Sequence, residues 1–388
     1  MSSLTTSDTN TNNQIPQPVW IGDNAALADR CKRWLTAEFL AVDTEFVRTT
    51  TFYPKPGLIQ VADADACYLI DPLEISEWGP LADVLQAPDV VKVFHACAED
   101  LEVCRQLVGV LPEPLFDTQL AMAFTGFGGS VGFQRAVLAL LDVDIPKEAT
   151  RTDWLQRPLT SVQMEYATAD VFYLYKIYPM LDTALRDKCR LSWLQEECQR
   201  ILDQASSSDD YSAAYQKVKL GWKLRPQEQC SLQALAVWRE EEARRRDVPR
   251  NKVADDQALW NIARFKARNR DQLIKAGLRP HIVRDAGKAI LQLVAESLNK
   301  DETQWPERLK KPLSIEDGNN LKKLRKVANH RAEELDVPPE LLANKRILDA
   351  LIRSSGGEIP EALSGWRMEE VGGKLIAKLN EISGRTDD

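Results

Sequence analysis

Residues Phe39-Leu40-Ala41-Val42 form a short apolar run that ends abruptly in Asp43-Thr44-Glu45, and few folds accommodate that sequence. A run so short and apolar reads as a buried strand with the acids at its C-terminal end. Side chains two apart on a strand point to the same face. Asp43 and Glu45 therefore face one space, where two carboxylates repel unless a cation lies between them. A hard divalent ion such as Mg²⁺ suits such oxygen ligands. An isolated Asp-x-Glu is more often an exposed strand end with solvated acids. Two later acidic stretches of the same kind shift that balance.

The surroundings of this run set the fold class. Leu58-Ile59-Gln60-Val61-Ala62 and Ala66-Cys67-Tyr68-Leu69-Ile70 read as strands, and the short Asp63-Ala64-Asp65 between them predicts an antiparallel hairpin. Residues 90–95 read as a fourth strand, followed by a helix from Ala98 to about Gly109. Leu115-Phe116 is a fifth, and Asp117 is placed to cap the next helix. Residues 19–38 predict a short strand and a helix from Asn24 to Thr36. Three early strands followed by alternating strands and helices imply a mixed sheet with helices on its faces. Gly126-Phe127-Gly128-Gly129 lacks the Gly-Lys-Ser/Thr ending of a phosphate loop and reads as a flexible connection. A helix over 131–141 comes next, and a long aromatic-rich helix starts at Thr160 or Ser161.

A chain of 388 residues suggests two or three domains. Residues 1–18, rich in Ser, Thr, Asn and Gln, read as a disordered tail without the apolar segment of a secretory signal. Residues 19–205 form the α/β domain, and the Ser-rich stretch within 206–222 reads as a linker. The α/β domain is expected to fold independently of the C-terminal half of the chain. Beyond the linker every pattern is helical, in two domains at 223–298 and 301–384. Ala243-Arg244-Arg245-Arg246-Asp247-Val248-Pro249 is echoed 89 residues later by Ala332-Glu333-Glu334-Leu335-Asp336-Val337-Pro338, so the two are related copies in tandem.

Charge divides the chain unevenly. Residues 223–298 hold 16 Lys and Arg against 10 Asp and Glu, whereas residues 1–222 hold 18 against 31 and residues 301–388 hold 15 against 17. The first helical domain is thus the candidate for gripping a polyanion. Seven irregularly spaced cysteines without a Cys-x-x-Cys pair suggest reduced thiols and argue against a zinc ribbon. No apolar run reaches the roughly 20 residues that span a bilayer.

The second acidic stretch is His95-Ala96-Cys97-Ala98-Glu99-Asp100, with Asp100 in the first turn of a helix, where the helix dipole favours a carboxylate. The third is Tyr166-Ala167-Thr168-Ala169-Asp170, whose first and last residues share a helix face. A phenol beside a carboxylate that holds a metal could orient a water.

This order of motifs resembles the DEDD family of 3′→5′ exonucleases, and the Tyr-x-x-x-Asp spacing is similar to its tyrosine branch. The histidine branch places His five residues before the last Asp. Here that position is Glu165, and the three histidines, His95, His281 and His330, lie elsewhere. Tyr53-Pro54-Lys55-Pro56-Gly57-Leu58-Ile59-Gln60 looks like the segment after the first motif in the ribonuclease D family. Thr152-Asp153-Trp154-Leu155-Gln156-Arg157-Pro158-Leu159 is similar to that family's approach to its third motif. The helical copies resemble HRDC domains.

The resemblance covers nearly the whole chain after residue 18 and implies an α/β ribonuclease H-like nuclease domain followed by two all-α HRDC-like domains. It implies a cytoplasmic 3′→5′ exoribonuclease that releases 5′-mononucleotides with two divalent ions, Mg²⁺ foremost and Mn²⁺ second. Its partner would be RNA, above all tRNA precursor 3′ ends, with no membrane and no nucleotide cofactor. Asp43 would bridge both ions, Glu45 and Asp170 would hold the ion that activates water, Asp100 would serve the other, and Tyr166 would orient the water. Thr44, His95, Trp154 and Arg157 are the candidate RNA contacts. His95 also reads as the close of its strand, and packing or an ion pair would account equally for Trp154 and Arg157. The competing readings are a DNA 3′→5′ exonuclease and a catalytically dead RNA-binding scaffold. The helical tail weighs against the first, and the four intact acids against the second.

Overall fold

The Asp43 run lies inside a six-stranded mixed sheet. The computed structural model describes residues 14–145, 152–206, 210–354 and 358–383. Its strands are β1 (Val19–Ile21), β2 (Phe39–Val47), β3 (Lys55–Ala62), β4 (Cys67–Ile70), β5 (Val91–Phe94) and β6 (Leu115–Asp117), in the order β1-β4-β3-β2-β5-β6. β3 pairs antiparallel with both β2 and β4, which is the expected hairpin, whereas β5 runs parallel to β2. The β5 pairing stops at Ala41 opposite Val93, while β2 continues along β3 with Asp43 opposite Gln60 and Glu45 opposite Leu58. One side of β2 is therefore left open where its acids begin. A register shift between Glu45 and Phe46 then bends the strand.

The helices that matter to this edge follow from local chemistry. α1 (Asn24–Trp34) and α2 (Gly79–Leu85) precede β5, and α3 (Ala98–Leu107) leaves it. Asp117 caps α4 (Thr118–Thr125) by accepting from Gln119 N and Leu120 N. α5 (Phe133–Leu141) is followed by α6 (Ser161–Asp187), where Thr160 and Gln163 close a capping box. α6 packs against β2, β3, β4 and β5. Phe39 stacks on Tyr175 at 4.4 Å between ring centroids and meets Tyr178 at 4.3 Å, which explains the aromatic richness of this helix. α7 (Leu191–Ser206) completes the α/β region.

The chain forms two compact units, and their borders differ from those expected. The first comprises the described residues of Met1–Val47, Lys55–Asp203 and Ile315–Asp388; the second comprises Arg48–Pro54 and those of Gln204–Ser314. The second helical copy, α13 (Ile315–Leu335), α14 (Pro339–Ala343), α15 (Lys345–Arg353) and α16 (Gly373–Ser383), thus folds with the sheet and is not an appendage to it. Its Trp366 stacks on Trp193 of α7 at 4.8 Å and meets Phe124 edge-on at 5.2 Å. Arg367 grips the Glu197 carboxylate through both terminal nitrogens, at 2.5 and 2.7 Å. Arg190 donates to the Phe124 and Leu335 carbonyls, each at 2.6 Å. Gly126, with φ of 99°, lies so close to Asp336 that a Cβ would fall 2.4 Å from its Oδ2. The glycine-rich stretch expected to be a flexible connection is therefore a tight seat for the turn that carries Asp336.

In the second unit, the first helical copy is α8 (Pro226–Arg245), α9 (Arg250–Val253), α10 (Asp256–Phe265), α11 (Arg270–Ala276) and α12 (Pro280–Leu298). Part of the expected linker belongs to its core, because Tyr215 and Val218 are buried among Leu232, Leu235 and Leu259. Residues beyond the first copy also pack here: Leu309 N donates to Gln229, and the Tyr215 hydroxyl donates to the Glu307 carbonyl. The loop Arg48–Pro54, between β2 and β3, is held by Asp247, whose Oδ1 accepts from Phe52 N and Tyr53 N, both at 3.0 Å. The guanidinium groups of Arg244 and Arg250 lie over the Phe52 ring at 4.4 and 4.8 Å. Asp247 and Asp336 are equivalent positions of the two copies. Both take a left-handed backbone conformation, with φ of 48° and 53°.

Candidate active site

A strand end, a helix start and one helix face bring the predicted acids together. Asp43 and Glu45 leave β2 on its open edge, Asp100 comes from the first turn of α3, and Tyr166 and Asp170 come from adjacent turns of α6. Carboxylate oxygens of Asp43, Glu45 and Asp170 lie within 4.8 Å of one another. Asp100 stands outside that triad and accepts a 2.5 Å hydrogen bond from the Thr44 hydroxyl. All of these residues line one cleft of about 660 Å³.

The turn from β5 into α3 is built to deliver Asp100. Ala96 adopts φ of 60°, a conformation unfavourable for a residue with a Cβ. Asp117 offsets that strain by accepting from Ala96 N at 3.3 Å and from Cys97 N at 2.9 Å. The backbone thus reverses tightly, and the first turn of α3 faces the open edge of β2.

The electrostatics are those of acids crowded together with little water around them. Burial, with repulsion from Asp170, lifts the Asp43 carboxyl to about 8. Burial and the charges of Asp43, Asp170 and Asp100 lift Glu45 to about 10. Burial raises Asp170 to about 7 against a hydrogen bond from Tyr166 that favours the anion. Asp100 is raised by burial and by Asp43. Tyr166 is raised by burial and by Asp170, so its hydroxyl stays protonated and can donate. Three half-buried, crowded oxygen donors suit a hard divalent cation, which would relieve the repulsion that lifts these values.

The remaining predicted residues divide. Thr44 lines the cleft, with its hydroxyl committed to Asp100. His95 also lines it, but both ring nitrogens meet the protein: Nε2 donates to the Val131 carbonyl at 2.9 Å, and Nδ1 lies 2.9 Å from the Thr118 hydroxyl. Trp154 and Arg157 do not line the cleft, which corrects their expected place among RNA contacts. Trp154 is only 2% exposed, packs with Leu58, Leu69 and Ala167, and sits 6.2 Å from the Tyr166 ring. A Cβ on Gly57 would fall 2.6 Å from it. Arg157 donates to both oxygens of Asp71 and to the carbonyls of Gly57, Trp154 and Gln156. These two residues fasten the chain leading into α6 onto β3 and support Tyr166 from behind.

The cleft has further walls that the sequence motifs did not reveal. Phe46, Phe133, Ile145 and Leu174 offer apolar surface, Glu99 adds a fifth acid, and Arg135 supplies a cation. The register shift after Glu45 is what turns Phe46 inward with the acids. The predicted helix over 131–141 held the signal for Phe133 and Arg135, but nothing in its pattern tied that helix to the acids.

Known proteins resemble this chain in sequence and in fold. Residues 18–186 match the 3′-5′ exonuclease family, and residues 228–294 match the HRDC domain. Ribonuclease D of Pseudomonas paraeruginosa is 45% identical over 369 residues, which cover 94% of this chain and 98% of that protein. Ribonuclease D of Escherichia coli is 36% identical over 374 residues, covering 92% and 96%. The crystal structure of Escherichia coli RNase D, described as an exoribonuclease involved in structured RNA processing, superposes with a TM-score of 0.88 at 35% identity over 94% of this chain and 99% of that one.

Proposed function

The chain belongs to the ribonuclease D family, and from that premise we propose that it trims 3′ extensions from structured RNA, tRNA precursors foremost, with two Mg²⁺ ions in its cleft. It is a 3′→5′ exoribonuclease. The observation that carries the metal reading is the half-buried triad of Asp43, Glu45 and Asp170, whose oxygens crowd within 4.8 Å. Those three would hold one ion, and Asp43 with Asp100 the other. When bound, such ions lower the pKa of a water and balance charge on the departing 3′ oxygen. The chain's own groups do the positioning. Thr44 fixes one Asp100 oxygen and so aims the other. Tyr166, held by Asp170 on one side and Trp154 on the other, presents a protonated hydroxyl to a water at the scissile phosphate. Phe46, Phe133 and Leu174 give the terminal base and ribose an apolar bed, and Glu99 and Arg135 complete the rim. Reduced thiols, all seven cysteines being free, support a cytoplasmic setting.

The test is incubation with a 3′-extended tRNA and a matched single-stranded DNA, each with Mg²⁺ or with EDTA. Stepwise loss of 3′ nucleotides from the RNA, dependent on Mg²⁺, is expected. Equal shortening of the DNA would move the substrate class, and hydrolysis that survives EDTA would remove the metals.

A further inference from the structure

We propose that the second helical domain carries a phosphate-binding groove for the body of the RNA substrate, formed between α13 and α16. The inference rests on the exoribonuclease reading for its ligand but on a different surface for its evidence. Lys323, Lys326, Val327 and His330 line one wall, at the helical spacing that places them on one face of α13. Lys374 and Lys378, one turn apart on α16, line the other. Arg331 closes the groove, whose volume is about 420 Å³. Val327 gives it an apolar floor, which leaves cationic tips at the rim.

The ion pairs decide which of these cations are available. Glu334 lies 3.3 Å from His330, 2.7 Å from Arg331 and 3.4 Å from Lys374. Glu370 holds Arg331 at 2.5 Å, and Glu381 holds Lys378 at 2.7 Å. Lys323 and Lys326 have no carboxylate partner among the described residues, and both are exposed. The domain is acidic overall, yet its charge is sorted so that one groove presents two unpaired lysines backed by shared cations.

The first helical copy spends its charge differently. Its segment has the larger positive balance, but much of its arginine is consumed internally. Arg239 pairs with Asp256, Arg264 with Glu228, Arg245 and Arg246 with Glu242, and Arg244 and Arg250 with Glu240. Segment net charge therefore does not by itself locate a groove in which cations converge; between α13 and α16 they line two facing helices. A polyphosphate backbone is the occupant that a row of lysine ammonium groups over a narrow floor fits, since each is a point charge able to replace a condensed counterion.

The experiment uses the full chain. The double variant Lys323→Gln/Lys326→Gln is compared with Lys32→Gln/Arg33→Gln, which removes the same charge from exposed positions on α1 that do not line the groove. Affinity for a 3′-extended tRNA is measured against salt, alongside Mg²⁺-dependent hydrolysis of a short oligonucleotide. The groove variant should bind the tRNA several-fold more weakly than the control variant. Its salt slope should be shallower by about 0.7 for each lysine that meets a phosphate, with short-substrate turnover unchanged. Equal affinity and slope in the two variants overturn the groove, because the effect is then bulk charge. Should the double variant melt early, the single Lys326→Gln is read by the same criteria. Failure of the unmodified chain to cleave the short substrate would count against the nuclease reading alone, since the tRNA titration judges the groove independently.

Discussion

The acid-lined cleft and the seat of the second helical domain both draw charge out of water, and they treat it in opposite ways. At the seat, Glu197 receives a two-point grip from Arg367, and Arg190 finds two carbonyls. In the cleft, Asp43, Glu45, Asp100 and Asp170 converge, and none forms an ion pair among the described residues; burial and mutual repulsion raise all four. Satisfied charge of the first kind is architecture, and breaking it leaves a buried ion stranded. Uncompensated charge of the second kind is held in place by the rest of the fold and marks where a ligand belongs.

The contrast can be broken most sharply at the acids. Asp43→Asn or Asp170→Asn should abolish hydrolysis while RNA binding persists, and the metal-free melting temperature should hold or rise because a repulsion is gone. Full activity of Asp43→Asn with Mg²⁺ would refute the metal assignment. Tyr166→Phe should lower turnover by roughly 10²–10⁴-fold at saturating RNA, the range for a positioned proton donor; an unchanged rate would make Tyr166 a packing residue. At the seat the effects should fall on stability. Trp366→Ala should cost about 3–5 kcal/mol in a denaturant titration, with turnover of a short oligonucleotide by the folded fraction unchanged. A stability-neutral Trp366→Ala would show that the sheet does not need this domain.

The smallest effect sharpens the comparison through pH. Asp43 and Asp170 titrate near 8 and 7 in the folded chain against an ordinary 3.8. The native state therefore keeps protons that the unfolded chain has already lost, so metal-free stability should decline as pH rises from about 4 toward 8. Mg²⁺ binding to the ionised cluster, as proposed, should reverse this by mass action. Thermal melts with Mg²⁺ or EDTA at pH 5.5 and pH 8 should differ by more at pH 8. Coincident curves at pH 8 would leave the cluster without a metal.

The acids were legible because strand and helix periods place residues two and four apart on one face, and the chemistry then needs all of them. The hairpin, the α3 start and the caps at Asp117 and Thr160 were legible for the same local reasons. What escaped depended on distant partners. Arg157 looks like an RNA contact until Asp71 and Gly57 come within reach. Gly126 and Gly129 look flexible until Asp336 and Pro338, far along the chain, press against them. The linker composition was visible, but not that α13 to α16 would fold back onto α7 and Phe124. No window of sequence holds both sides of such a contact.

The paired turns at Asp247 and Asp336 have a consequence for how each helical copy is attached. Each copy of the helical module ends its first helix in the same left-handed aspartate. The first copy closes that carboxylate over the backbone of Phe52 and Tyr53, and the second sets it against Gly126. A helical module that carries its own plug needs only a socket: two backbone N–H groups serve in one case and a glycine in the other. With attachment fixed by one turn, the rest of each copy is free to differ, and the two do carry opposite overall charge.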